Sequence, residues 1–503
     1  MTEKNFDYWR GVADRALPRA ANLIDGEFVP AASGATFTVT SPIDGAELAQ
    51  FPRSEAADTE RAVKAAHRAF RSGVWSRLAP RDRAAIISRF ADLIEENAER
   101  FSALDTIDMG KPVALMTEFD IPDAVGTFRY LAECIDKVEG AVTATDPGAL
   151  HYMLRQPLGV VGCVTPWNFP LAMASWKVAP ALAAGNTVVL KPAEQSPLSA
   201  ALMGELFLEA GGPPGVFNVI HGQGEEAAMP LALHMKVDKI SFTGSAAVGK
   251  LMFRYAGESN MKHVSTECGG KTPQIIFADV PDLDQAVEYA ANGIFGNQGE
   301  VCNAGSRILV HADIHDEFVR RFEKFAAEAF RPGHPLDPDT GLGPMVDREQ
   351  RATVEKYLSI GESEGAKLHR LSEVPDSLVP DCYLPPMYFS AVRNEMRIAQ
   401  EEIFGPVACI MPFTSAREAL AVANDSLYGL AASVWTGDLR TAHLMARDLE
   451  AGIIWINCFD HLDMTMPWGG WKQSGTGRDK CFQALLDHTQ SKSVWIDLPG
   501  EVD

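Results

Sequence analysis

Between residues 55 and 109 apolar positions recur every three to four residues, most clearly over 56–71 and 80–104, which predicts amphipathic helices in a largely helical segment. Beyond residue 159 the rhythm changes to short, β-branched apolar runs separated by turns and helical stretches. The runs are Gly159-Val160-Val161-Gly162-Cys163-Val164, Thr187-Val188-Val189-Leu190, Val216-Phe217-Asn218-Val219-Ile220 and Lys239-Ile240-Ser241-Phe242. Continuous apolar runs alternating with helices read as parallel strands buried on both faces, so the predicted fold class is α/β. The fourth run leads into Thr243-Gly244-Ser245-Ala246-Ala247-Val248-Gly249-Lys250 and an amphipathic stretch over 251–255. A glycine turn ahead of a helix N-terminus offers backbone N–H groups to a phosphate. The spacing is Gly-x-x-x-x-Gly where the usual dinucleotide fingerprint has Gly-x-Gly-x-x-Gly, so on spacing alone a nucleotide site and a plain helix cap stand level.

A second α/β block, over 270–470, ends in Pro467-Trp468-Gly469-Gly470-Trp471-Lys472-Gln473-Ser474-Gly475. The tail over 492–496 alternates like a strand and, with residues 150–155, predicts a small sheet whose open edge would pair with another subunit. No internal repeat or low-complexity linker interrupts the chain.

A length of 503 residues suggests two to four domains, and 46% hydrophobic with 22% charged residues describes a globular chain. Lys and Arg number 45 against 67 Asp and Glu, a formal charge of −22 that repels phosphate backbones and anionic bilayers. Nucleic-acid and membrane roles are therefore not expected; a cationic substrate is compatible, although solvation alone accounts for most of these carboxylates. Eight cysteines at 134, 163, 268, 302, 382, 409, 458 and 481 form no CxxC pair and no cluster with histidine, so neither a disulfide framework nor a metal site is expected. The opening residues lack a signal-peptide pattern and no run of about 18 apolar residues occurs, so the expected location is cytoplasmic.

Two glycine-flanked segments carry the candidate chemistry: Gly296-Asn297-Gln298-Gly299-Glu300-Val301-Cys302-Asn303-Ala304-Gly305 and Glu267-Cys268-Gly269-Gly270-Lys271. A thiolate is the strongest nucleophile available near neutral pH, and a carboxylate of suitable pKa activates water to release what the thiol captures. A lone cysteine is more often a small buried hydrophobe, so this pairing acquires weight only from the remaining motifs.

Those motifs are Pro166-Trp167-Asn168-Phe169-Pro170, Lys191-Pro192-Ala193-Glu194, Phe242-Thr243-Gly244-Ser245, Glu267-Cys268-Gly269-Gly270-Lys271, Gly299-Glu300-Val301-Cys302 and Glu401-Glu402-Ile403-Phe404-Gly405-Pro406. In content and order they resemble the aldehyde dehydrogenase superfamily over nearly the whole chain. The resemblance implies a Rossmann-like NAD-binding domain of residues 1–138 and 159–269, a catalytic domain of residues 270–471, and an oligomerisation segment of residues 139–158 and 484–503. A homodimer or homotetramer is implied with it. Cys302 becomes the nucleophile, Asn168 an oxyanion donor together with the backbone N–H of Cys302, and Glu267 the base for hydrolysis.

The implied cofactor is NAD, with NADP disfavoured by carboxylates near the ribose. Lys191 and Glu194 would hold the adenosine ribose and Glu402 the nicotinamide ribose. Phe404 would pack near the nicotinamide, and Pro166, Trp167, Gly224, Phe242, Gly244, Ser245 and Gly269 would complete the cofactor contacts. The alternative for Lys191 and Glu194 is a surface ion pair, and for Asn168 a turn amide bonded to its own backbone.

Within the superfamily the likeness is greatest to bacterial γ-glutamyl-γ-aminobutyraldehyde dehydrogenases of putrescine breakdown, through Phe6-Asp7-Tyr8-Trp9, Ala132-Glu133-Cys134-Ile135-Asp136-Lys137-Val138 and Asp463-Met464-Thr465. Asp120 and Asp123, three apart on one predicted helix face, match positions that hold a substrate ammonium. The competing reading is an exposed acidic helix start. Phe169, Trp176 and Trp468 would wall the substrate tunnel, with Val301, Asn303 and Asp463 beside it. Two residues depart from the family pattern. Cys268 replaces a leucine and is expected to be buried and inert, and Glu300 stands where glutamine is frequent and is expected to face outward, away from the thiol. Other readings are a betaine-aldehyde or general aliphatic aldehyde dehydrogenase, a CoA-acylating relative, a nucleotide-independent hydrolase and a catalytically silent scaffold. Glu267 argues for water as acyl acceptor, and the intact Asn168, Glu267 and Cys302 argue against the scaffold.

Overall fold

The protein is described here as a computed structural model covering residues 4–378, 382–498 and 500. Two large sheets with helices on their faces carry the chain. The first orders its strands Glu27–Val29, Asn22–Ile24, Phe217–Val219, Thr187–Lys191, Val160–Val164, Lys239–Gly244, His263–Cys268 and Gly475–Thr476. Its five central strands are parallel, and the additions at both edges are antiparallel. The apolar runs expected as strands all lie within these five, and every residue of Val160–Val164 and Thr187–Lys191 is buried, as strands covered on both faces require.

Starting from Val160–Val164, the chain lays two strands to one side and then crosses to Lys239–Gly244 on the other. The order reverses between these neighbours, and in an open parallel sheet that reversal leaves a crevice beyond the carboxyl ends. The segments leaving those ends are Thr165 to Phe169 and the Gly244-Ser245 turn.

The second sheet orders Lys367–Arg370, Met387–Ser390, Val407–Phe413, Arg307–His311, Pro273–Ile276, Ala431–Trp435 and Ile453–Ile456, parallel except for its first pair. Four residues, 269–272, join the last parallel strand of the first sheet to Pro273–Ile276. The carboxyl edge of one sheet is thereby set against the amino edge of the other. In a third sheet Ala149–Pro157 lies between Thr489–Asp497 and Ala141–Thr143 and pairs with both, matching the small terminal sheet expected from residues 150–155 and 492–496.

One boundary differs from expectation. The helix anticipated over 80–104 is two, Pro80–Glu96 and Ala98–Met109. Asn97 breaks it with ψ 18° and turns its side-chain amide back onto the Leu93 carbonyl at 2.9 Å, the local bonding that lets asparagine leave a helix.

Candidate active site

A cavity of about 270 Å³ opens at the crevice, lined by Pro166, Trp167 and Asn168 from one strand end and by Thr243, Gly244 and Ser245 from its neighbour. Cys268 and Gly269, at and just beyond the end of the strand His263–Cys268, close it together with Cys302, Glu402 and Phe404 from the second block. The structure thus brings the nucleophile, the amide and much of the expected cofactor set together. It also adds Met173, Gln350 and Thr353, which the sequence did not single out.

Beyond Gly244-Ser245 runs the helix Ala246–Glu258, whose first turn is capped by the Ser245 hydroxyl accepting from the Val248 N–H at 3.3 Å. The Phe242 ring lies under this turn, and a Cβ on Gly244 would come within 2.6 Å of it. Phe242 therefore shapes the turn from beneath and does not line the cavity. Gly269 is required by a closer approach, because a Cβ there would meet Glu402 Oε1 at 1.7 Å. That oxygen is buried without a partner, and burial raises the Glu402 carboxyl to about 7. An unpartnered carboxylate oxygen in a cavity fits a sugar hydroxyl donor. Phe404 adopts a left-handed backbone, φ 58°, with its carbonyl held by Gln350 Nε2 at 2.7 Å and its ring edge-on to Trp167 at 5.2 Å.

Lys191, Glu194 and Gly224 lie outside the cavity lining, at the carboxyl ends of the two strands beyond Val160–Val164. Lys191 is buried and its ammonium pairs with the Glu194 carboxylate at 2.8 Å. The strand ends leading to Gly244, Trp167, Lys191 and Gly224 are consecutive in the sheet and form one continuous rim.

Cys302 sits half-buried in the loop between the helix Leu283–Phe295 and the strand Arg307–His311. Burial, reinforced by Glu402, Asp460 and Glu267, pushes its thiol far up, so the resting sulfur keeps its proton. Glu267 lies at the end of the strand His263–Cys268, not in a turn, and is only 4% exposed. Burial is also the main cause raising its carboxyl well above the ordinary range, with Asp479 adding repulsion and Lys177 and Arg478 opposing it. Neither carboxylate oxygen makes a well-formed hydrogen bond. Burial thus shifts both groups toward their protonated forms. Cys268, one residue on, is buried with its thiol raised to about 12 by desolvation, an inert state.

The Asn168 side chain is not closed on its own backbone. It donates one N–H to the Glu300 carbonyl at 2.7 Å, and an amide nitrogen carries two hydrogens. The second is available to an oxygen bound beside Cys302.

Two expectations require correction. Glu300 faces inward, wholly buried, with one carboxylate oxygen accepting from the Val346 N–H at 3.1 Å. Desolvation raises its carboxyl well above the usual range, with the Val346 N–H and Lys111 opposing that shift. Asp120 and Asp123 do not present free carboxylates to a substrate. Asp120 is bonded to Lys111 Nζ at 2.9 and 3.0 Å, both side chains fully buried, and that ammonium lies 3.5 Å above the Phe169 ring. Asp123 takes Lys480 Nζ and the Trp176 indole N–H, each at 2.5 Å, with the Lys480 ammonium 5.0 Å from the Trp176 ring centre. The sequence had no sign of these lysines as partners, because Lys480 lies 357 residues from Asp123 and a buried lysine reads like a surface one.

The aromatic residues themselves cluster: Trp176 meets Trp468 at 5.4 Å, and Phe169 and Cys302 both pack on this cluster with Trp455 and Phe459. Asn303 donates to Asp460 at 2.8 Å, Val301 packs toward a different core cluster, and exposed Asp463 caps the Thr465 backbone at 2.8 Å.

Residues 28–494 match the aldehyde dehydrogenase family model. The chain belongs to the aldehyde dehydrogenase family. Its relatives include the NADP/NAD-dependent aldehyde dehydrogenase PuuC of Escherichia coli, 45% identical over 99% of this chain and 100% of PuuC. Among solved structures, the indole-3-acetaldehyde dehydrogenase of P. syringae, determined with NAD+, superposes with a TM-score of 0.96 at 48% identity, covering 98% of this chain and 100% of that one. The γ-glutamyl-γ-aminobutyraldehyde dehydrogenase of Burkholderia cenocepacia gives 0.95 at 46% identity with the same coverage. This aldehyde dehydrogenase is an NAD-dependent oxidoreductase acting on aldehydes.

Proposed function

We propose that this enzyme oxidises an aminoaldehyde whose amine is acylated, with γ-glutamyl-γ-aminobutyraldehyde as the best fit. The observation that carries this is the occupation of Asp120 and Asp123 by Lys111 and Lys480 beneath the Phe169 and Trp176 rings. The enzyme's own ammonium groups already pair both carboxylates, which leaves neither free for a substrate amine. An acylated amine is neutral, so its four-carbon stem meets the aromatic wall without a charge to desolvate. Two relatives support the class: one carries this aldehyde in its name, and PuuC shares 45% identity. The same wall favours an aromatic aldehyde as the second reading, in line with the indole-3-acetaldehyde dehydrogenase.

In the proposed reaction Cys302 Sγ loses its proton and bonds to the aldehyde carbon. The second Asn168 N–H and the Cys302 backbone N–H hold the resulting oxyanion, each donor lowering the barrier by roughly 3 kcal/mol. NAD, when bound, supplies the acceptor for the hydride that leaves this carbon. Glu267 then takes a proton from water as the water oxygen attacks the thioester carbon, and the C–S bond breaks to release the acid. Lys191 and Glu194 hold the adenosine ribose, with Glu194 disfavouring a 2′-phosphate, and Glu402 holds the nicotinamide ribose.

Residues 1–138 with 159–269 form the NAD-binding domain, 270–471 the catalytic domain, and 139–158 with 484–503 the assembly segment of a homodimer or homotetramer. The thiol state of Cys134, Cys163, Cys268, Cys302, Cys409, Cys458 and Cys481 supports a reducing compartment, the cytoplasm.

The test is kcat/KM with NAD for γ-glutamyl-γ-aminobutyraldehyde, 4-aminobutanal, indole-3-acetaldehyde and hexanal. The acylated substrate is expected to exceed free 4-aminobutanal by at least about tenfold, the worth of roughly 1.4 kcal/mol. Parity with the free amine overturns the reading, and a lead for the indole aldehyde selects the second one.

A further inference from the structure

We infer that Asn297 is the positioning residue that sets the oxyanion donor Asn168 at its distance from Cys302. The inference rests on the proposed role of Asn168 and adds a residue to it. Asn297 is 2% exposed with a left-handed backbone, φ 47°; Gln298 follows at φ 58° and Gly299 at φ 70°. Three successive left-handed residues turn the chain sharply just ahead of the nucleophile. The Gly299 position admits no side chain, since a Cβ would meet the Gly405 carbonyl at 2.2 Å.

The Asn297 side-chain amide donates to two carbonyls, that of Asn168 at 3.0 Å and that of Glu300 at 3.4 Å. The Glu300 carbonyl is also the one that receives the Asn168 side chain at 2.7 Å. One amide nitrogen therefore ties the backbone of the oxyanion donor to the backbone two residues before the sulfur, and both amides converge on one acceptor. The reverse orientation of the Asn297 amide would set its oxygen against two carbonyl oxygens, so the donor assignment is fixed by chemistry. Its own Oδ1 is buried with no partner. A buried amide left half satisfied, on a backbone that few residues adopt, is retained for what its other end holds. The far side of the loop is pinned separately. Gln298 donates to the Gly110 carbonyl and accepts from the Gly343 N–H, and Glu300 accepts from the Val346 N–H. Asn297 is the side chain in this loop that faces Asn168.

Donor placement matters most where charge develops, so losing this tie lowers kcat more than it raises KM. The experiment uses the full-length enzyme with NAD and hexanal, rates normalised to burst amplitude so that only folded sites count. Asn297→Gly keeps the left-handed turn and removes the bridge; kcat is expected to fall at least tenfold, with KM for hexanal and the NAD dissociation constant within twofold. Asn297→Asp keeps shape but replaces the donor by an acceptor, and is expected to fall below the glycine variant. In an Asn168→Ala background Asn297→Gly is expected to cost less than twofold more, because the group it positions is gone. Wild-type kcat in Asn297→Gly, or a loss that multiplies fully with that of Asn168→Ala, overturns the inference. Wild-type kcat in Asn168→Ala alone overturns the underlying reading of Asn168 instead.

Discussion

At the scale of single residues the site is defined by acids that burial shifts toward their protonated forms. Burial raises both the Cys302 thiol and the Glu267 carboxyl, and each group's negative charge would raise the other's further. Raised acids ionise only at higher pH, so the acylation and hydrolysis rates are both expected to climb from neutral toward alkaline pH in stopped-flow NADH absorbance. Glu267→Gln is expected to keep the first-turnover burst and to lose steady-state turnover by on the order of 10²-fold, the lower end of a missing general base. Steady-state turnover as fast as wild type in that variant would remove Glu267 from hydrolysis. Cys302, Glu267 and Asn168 could be singled out as candidates from the sequence because each lies inside a short motif that resembles the family, two of them flanked by glycine. Lys111, Lys480 and Asn297 could not. Their roles depend on which carboxylate or carbonyl the fold brings opposite, and no local pattern records that.

At the scale of elements, the helix Ala98–Met109 joins helix capping to buried acidity. Asp105 accepts from the Leu171 N–H at 3.2 Å and from the Ser199 hydroxyl, while Asp108 accepts from the Leu198 N–H at 3.3 Å. One helix therefore caps the first turns of Pro170–Ala183 and Leu198–Glu209, and so orients the segment that begins just after Asn168. Burial, which the Ser199 hydroxyl partly offsets, raises Asp105 to about 7. An acid whose folded pKa exceeds its unfolded value, about 3.9, binds its proton more tightly in the native state. Its contribution to stability is therefore complete at low pH and lost as pH climbs from about 4 to about 7. Asp105→Asn keeps the neutral form at every pH, so its urea midpoint is expected to decline less than wild type between about pH 5 and about pH 7. An unchanged slope would assign the titration to another group. Apolar periodicity pointed to helix over 80–104, which takes in part of Ala98–Met109, but not to its acids: buried aspartates read in sequence as solvated faces.

At the scale of the whole molecule, the two sheets meet carboxyl edge to amino edge through residues 269–272, which places a thiol from one beside a carboxylate from the other. The third sheet leaves apolar side chains in water, with Val142 at 73% and Trp495 at 58% exposure. An open strand edge bearing such residues is built to be covered, in keeping with the proposed homo-oligomer. The double variant Val142→Glu, Trp495→Glu is expected to give a smaller species by light scattering after gel filtration. An unchanged mass would place the subunit contact elsewhere. The terminal sheet was legible because strand alternation survives in a short tail; the size of the assembly was not, since composition carries no count of subunits.

By itself the sequence determined the α/β class and the strand runs of the first sheet, and it supplied the candidate reacting groups. Each of these is a local property: hydrophobic period, turn chemistry, or nucleophile and base type. Tertiary structure alone decided that Glu300 points inward as a buried acid, that two lysines occupy the carboxylates once expected for substrate, and that Asn297 bridges Asn168 to the Cys302 loop. Those outcomes depend on desolvation and on which groups the folded chain brings face to face, whether nine residues apart, as Lys111 and Asp120 are, or 357, as Asp123 and Lys480 are, and no local sequence pattern records either.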